Sequence, residues 1–204
     1  MSRKSRETSA HFIIHSVAVA AAAFSFAFSW APGVGPTLGD TAVLTGLTVA
    51  MTMMIGDLFD KQITESSAWA VGTVAIGYAL GTSLLKGAIS FIPGVGPFAN
   101  AAITLSLHEA ISWGLYTIFD SGYNPVDMTP EEIKDYFRMG REVSDNYKEK
   151  SKEMDRVKKT MSPADQEIIA DLEKKIASKD VSQEERRICV EKIAHIYRKY
   201  DYLL

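Results

Sequence analysis

The sequence predicts an all-α protein: two tandem hydrophobic helical hairpins, an internal repeat of four membrane-type helices, followed by a charged helical tail. Three observations carry this. Pro32-Gly33-Val34-Gly35-Pro36 recurs as Pro93-Gly94-Val95-Gly96-Pro97, an offset of 61 residues, and each copy sits between two long apolar runs. Residues 1–120 hold only five of the 22 Lys/Arg and seven of the 25 Asp/Glu. After Tyr123 the pattern changes to amphipathic stripes with recurring helix-start signals. These place a boundary near Gly122, with a duplicated hairpin region at 1–122 and an amphipathic helical tail at 123–204.

The pentapeptides are the hairpin turns. Pro32, Gly33, Gly35 and Pro36, like Pro93, Gly94, Gly96 and Pro97, cannot continue a helix and favour a tight reversal. The repeat extends beyond them. Leu44 matches Leu105, and Leu58-Phe59-Asp60 echoes Ile118-Phe119-Asp120 one residue short.

The first apolar run, His11–Trp30, is broken only by His15 and serines and is about as long as a bilayer-crossing helix. Its basic lead of Arg3, Lys4 and Arg6 resembles a secretory leader, but the run is long for one and occupies the first helix of the repeat. The second run, Thr41–Phe59, has no charge before Asp57. The third, Ala68–Ile92, is interrupted by Lys86; the fourth, Phe98–Phe119, by Asn100, His108 and Glu109. Ser121-Gly122-Tyr123-Asn124-Pro125 closes the region.

Helices this apolar either enter a bilayer or bury one another in a soluble bundle. Their lack of a polar stripe favours the bilayer, as does the small-residue pair Gly77-xxx-Gly81. Basic residues flank the runs at 3–6, at Lys61 and after residue 130, and are missing from both turns. That is the pattern of a cell or inner-membrane protein with both termini cytoplasmic. Hairpins that dip into one leaflet fit the same pattern.

Thr37, Thr41, Thr45, Thr48 and Thr52 share one face of the second helix. They predict either a polar seam or, through back-bonding to their own helix, close helix packing. Glu109 is costly in an apolar run unless paired or neutral. Lys86 is the expected partner, at a level mismatch of roughly 7–8 Å, with His15 and His108 completing a polar cluster.

In the tail, Thr129-Pro130-Glu131-Glu132 starts a helix whose stripe is Ile133, Tyr136, Phe137, Val143, Tyr147 and Met154. Ser162-Pro163 starts a second, with Ile168, Ile169, Leu172 and Ile176 inward. Ser182-Gln183-Glu184-Glu185 is a capping box for a third, with Ile193, Ile196, Tyr197 and Tyr200 inward. The lone Cys189 excludes an internal disulfide and reads as an ordinary helix residue.

Phosphate-loop, nucleophile-elbow and zinc-protease motifs are missing. No catalytic residue, cofactor or metal is expected, and no basic surplus points to nucleic acid.

The unit of Pro-Gly-x-Gly-Pro, a helix of small and apolar residues, and an aromatic-Asp or Gly end is carried by Ala31–Ala42 and Ile92–Ala102 with the helices that follow. It resembles the hydrophobic helical regions of two bacterial families: the membrane-associated domain of unknown function appended to some Era/Ras-like GTPases, and the EcsC-like family. The resemblance covers about half the chain, and no GTPase domain precedes it here. It implies membrane association in the service of a partner and supplies no catalytic residues.

The expected function is a non-enzymatic membrane-embedded protein that self-associates as a scaffold, with the lipid bilayer and other copies of itself as partners and the tail helices open to a protein partner. The competing readings are a pore or toxin-type effector and a soluble bundle that binds an apolar ligand.

Overall fold

A computed structural model describes residues 2–28, 38–82 and 96–200, and the side chains of 2–27, 43–78 and 101–200. Of the eight turn residues, Pro32, Gly33, Gly35, Pro36, Pro93 and Gly94 lie outside what is described, as do Lys86 and the surroundings of Thr41 and Gly81; Gly96 and Pro97 are instead the first residues of a helix, where proline's missing N–H costs no hydrogen bond. The described chain is all-helical: α1 (Arg3–Phe28), α2 (Leu38–Leu58), α3 (Glu65–Thr82), α4 (Gly96–Asp120), α5 (Pro130–Thr160), α6 (Pro163–Ile176) and α7 (Gln183–Arg198). A short 3-10 turn, Pro125–Asp127, joins α4 to α5.

The helices begin and end where local chemistry dictates. Thr129 and Ser182 form capping boxes with Glu132 and Glu185, and Ser162 caps α6. The echoing tripeptides both sit at helix ends. After α2 the Lys61 N–H donates to the Gly56 carbonyl, with Asp60 in the left-handed region at φ 56°. After α4 the Tyr123 N–H donates to Ile118 and Gly122 takes φ 86°. This is the same C-terminal closure, with Asp in one copy and Gly in the other supplying the left-handed residue. The rings of Phe59 and Phe119 stack at 5.8 Å, and Arg6 lies 4.5 Å over Phe59.

The core is built on α2. It packs on α1, α3, α4 and α7, so Leu47, Val49, Met51 and Ile55 are buried on different sides of one helix. An apolar helix without a polar stripe is here explained by neighbours on all sides. α1 packs on α2, α4, α5, α6 and α7.

α5 lies along α4 and also reaches α3. Phe137 of α5 sits between the helices of the second hairpin: it packs on the Tyr78 ring at 5.6 Å and against the backbone of Gly114. The crossing is close because neither helix has a side chain there. A Cβ on Gly140 would stand 2.0 Å from the Ala110 carbonyl oxygen and 2.4 Å from the Gly114 nitrogen.

The tail stripes face inward through Ile133, Phe137, Met154, Ile169, Ile176, Ile193, Ile196 and Tyr197. Ile168 does not; it is 49% exposed. α6 buries one narrow strip on α1 and α7, and the seven-residue step from Ile169 to Ile176 defines it.

Among the described residues α1 is the one helix long and apolar enough to cross a membrane, and most of its apolar window is buried; the apolar part of α2, Val43–Leu58, is shorter.

Candidate functional site

Buried polar residues His11, His15, Glu109 and Ser144 converge on the junction of α1, α4 and α5. His15 Nδ1 lies 2.9 Å from Glu109 Oε1, and His15 Nε2 lies 3.3 Å from Asp155 Oδ1. The Ser144 hydroxyl donates to the other Glu109 oxygen at 3.1 Å. One imidazole thus bridges two carboxylates from two helices. His15 and Glu109 are buried, while the Asp155 side chain is 54% exposed. The chain of contacts runs from the water-facing side of α5 into the core.

Burial alone would push the His15 imidazole down. The hydrogen bonds to Asp155 and Glu109, and the two negative charges, outweigh it and hold its pKa up at about 9. His15 is therefore an imidazolium at neutral pH, with both N–H groups donating to carboxylates. The bond from His15 holds the Asp155 carboxyl below its ordinary value.

One turn below, His11 behaves in the opposite way. Its ring stacks on Tyr147 at 5.5 Å, His15 at 6.1 Å and Trp113 at 6.4 Å, and Trp113 stacks on Tyr147 at 4.0 Å. Its Nε2 lies 3.2 Å from the Ser151 hydroxyl. Burial, then the positive His15 and Lys150, lower its pKa to about 3, so it is neutral. Two histidines a turn apart are thus held in opposite charge states by their neighbours.

The network ties helices together more than it prepares chemistry. The imidazole has both nitrogens committed, which leaves none for a metal or for activating a nucleophile. The Ser144 hydroxyl faces Glu109 and not His15, the wrong order for a nucleophile, base and orienter. Among the described residues no group of three or more His, Cys, Asp or Glu could hold a metal ion.

A second buried charge fixes α6 and α7 to α2. Arg186, 3% exposed, donates from Nε to the Ile176 carbonyl at 2.9 Å and from Nη2 to the Ser178 carbonyl at 2.7 Å. Its Nη1 fills the space where a Cβ on Gly46 of α2 would stand, at 2.9 Å.

Of the residues singled out from the sequence, His15 and Glu109 are brought together, and His108 is buried on α4. The described partners of Glu109 are His15 and Ser144, where Lys86 was expected. Thr45, Thr48 and Thr52 are buried on α2. Thr48 and Thr52 bond back to the carbonyls of Leu44 and Thr48, and the Thr45 methyl faces Gly72 of α3. Gly72 is thus a close approach of α2 and α3; among the described residues a Cβ on Gly77 would meet nothing within 4 Å.

Asp155, Ser144, Ser151 and Arg186 were not anticipated. A signal for the first three was present: they recur at steps of seven and four on the same face as Tyr147 and Met154, so polar residues share the buried stripe. No protein-family model, curated protein or solved structure matches the chain.

Proposed function

We propose that this is a non-enzymatic, membrane-associated helical protein that enters lipid from one side through the stretches around residues 29–42 and 79–100, keeps α5–α7 in water, and self-associates. Both termini stand on the water side.

The observation that supports this is the division of the exposed surface. Among the described residues, those exposed at one end of the hairpin helices are Ala23, Ala27, Thr73, Gly77, Ala102 and Ser106, all uncharged; Asp40 and Lys86, in the stretches beyond, lie outside the described residues. Ser25 and Thr104, hydrogen-bonded at 2.9 Å, mark this as one level of the bundle. It leads in sequence to both Pro-Gly-Val-Gly-Pro copies. The other end carries Arg3, paired with Asp120 at 3.0 Å, together with Lys4, Asp57 and Asp60. Between the two lies the His15 network. The first half of α1 meets water-facing helices there, through Tyr147 and Asp155 of α5 and Tyr197 of α7. That half of α1 has no lipid to face, which favours shallow insertion over spanning.

Flotation of the full chain with liposomes, followed by carbonate extraction, tests the reading. Co-flotation that survives carbonate supports it. A chain that stays at the bottom of the gradient is instead a soluble bundle, the reading that the all-round burial of α2 favours.

A further inference from the structure

At the charged end, far from the uncharged surface, α1, the end of α2 and α7 enclose a half-open groove of about 700 Å³. This volume is in the range of small-molecule sites. An apolar strip runs along it: Ile13 and Leu58 are half-buried, over a floor that includes Phe12, Met54 and Val190, while hydroxyl-bearing Ser5, Thr8 and Ser9 of α1 line the rest of that wall. Its mouth is cationic. Lys4 and Arg198 stand on opposite sides, both exposed, and among the described residues neither makes an ion pair. The third cation of the mouth, Arg187, is already neutralised by Glu184 and Glu191, with bonds from 2.5 to 2.9 Å. Asp57 lies on the wall, its carboxyl pushed up by burial and held back by Arg187.

We propose that this groove binds a free single-chain amphiphile with an anionic head, of the fatty-acid class. The acyl chain lies on Ile13, Leu58 and Phe12, and the carboxylate sits between Lys4 and Arg198. Charge complementarity selects this occupant. Two cations that make no ion pair among the described residues, above an apolar strip, match one anionic head on one chain, whereas a neutral ligand would supply neither with a counter-charge. The carboxylates of Asp57 and Glu191 disfavour a polyanionic head. The inference stands independently of membrane insertion, because the groove lies at the opposite end of the helices.

Palmitate is the probe, titrated into the full chain in detergent-free buffer, with palmityl alcohol as the neutral control. Saturable palmitate binding is expected. Lys4→Ala combined with Arg198→Ala should weaken it about tenfold, since two exposed ion pairs are lost, and should leave palmityl alcohol unchanged. Both side chains are exposed, so folding should be retained, as a thermal melt will report. Ser9→Trp, on the groove wall, should abolish binding of both probes. Vesicles of phosphatidylglycerol serve as a second arm. Competition with palmitate only through vesicle binding would move the site to a membrane headgroup and overturn the proposal. So would the lack of saturable palmitate binding, survival of binding in Ser9→Trp, or equal loss of both probes in the double variant.

Discussion

His15 and Glu109, 94 residues apart in the chain, are joined by a 2.9 Å contact in which a buried imidazolium meets a buried carboxylate. The contact fixes α1 against α4, and through Asp155 and Ser144 the same two residues fix α5. Removing one partner of a buried ion pair costs more than removing both, because the survivor keeps its desolvation penalty. Glu109→Gln should therefore destabilise the protein by about 3 kcal/mol. Glu109→Gln with His15→Gln should recover part of that loss. Urea melts of the two single variants and the double measure the coupling. Strictly additive effects would mean that the contact contributes nothing as a pair.

The opposite charge states of His11 and His15 predict a stability maximum near pH 6.5. The folded pKa of His15 is raised to about 9. Its contribution is complete below its unfolded value of about 6.5 and is lost as pH rises through 9. The folded pKa of His11 is lowered to about 3. The unfolded chain takes up that proton first, so stability is lost as pH falls from about 6.5 toward 3. Asp155, with its carboxyl held low, adds to the acid loss below about 4. The full shifts bound the limbs at about 3 kcal/mol for His15 and about 5 kcal/mol for His11. His11→Phe should flatten the acid limb and spare the alkaline one, whereas His15→Gln should flatten the alkaline limb and also soften the acid limb, because its charge helps hold His11 and Asp155 down. Identical pH profiles for both variants and the parent would refute the assignment.

These features show what one sequence carries and where it stops. Helix starts in the tail were legible because a cap is local: Thr129, Ser162 and Ser182 each bond within three residues. Ile133, Phe137 and Ile193 were legible because periodicity reports one face. The sequence places His15 in one polar cluster with Glu109, and Lys86 lies outside the described residues; that His15 pairs directly with Glu109 and that Ser144 and Asp155 join them was not legible, because it depends on how α1, α4 and α5 slide past one another. Periodicity does not encode that register. The close crossing at Gly114 and Gly140 was missed for the same reason, while of the conspicuous pair Gly77-xxx-Gly81, Gly77 meets nothing within 4 Å among the described residues and Gly81 lies outside them. Apolarity all round α2 reads alike for lipid and for protein neighbours, and in this structure α1, α3, α4 and α7 are the neighbours.

Three glycines separate packing from exposure. Gly140→Ala places a methyl 2.0 Å from the Ala110 carbonyl oxygen, so α4 and α5 must part, at a cost of about 3 kcal/mol. Gly46→Ala meets only the end of Arg186 at 2.9 Å, and that side chain is anchored on two carbonyls. It should cost about 1–2 kcal/mol. Gly77→Ala meets nothing within 4 Å and should stabilise the monomer by about 0.5–1 kcal/mol through helix propensity. Chemical denaturation ranks the three. If Gly77→Leu leaves the monomer fold intact but shifts the detergent-solubilised protein to a smaller size, the open face of α3 is where copies meet. An unchanged size places self-association elsewhere.

Accessibility to a membrane-impermeant thiol reagent tests the orientation. Cys189 is buried, and burial pushes its thiol up, so Cys189→Ala gives a clean background at small cost. Single cysteines replace Val34 and Val95, at the centres of the two Pro-Gly-Val-Gly-Pro segments, and Lys148, exposed on α5. With the protein bound to the outside of sealed liposomes, the reagent reaches only what faces the bulk water. Shallow insertion predicts fast labelling of Lys148→Cys and protection of Val34→Cys and Val95→Cys. Opening the vesicles with a pore-forming agent then separates two arrangements. Segments within one leaflet remain protected, because neither aqueous face reaches them. Segments that have crossed the bilayer become reactive. Fast labelling of Val34→Cys or Val95→Cys from outside sealed vesicles would show that the hairpin ends stay in water, and membrane entry through them would be excluded.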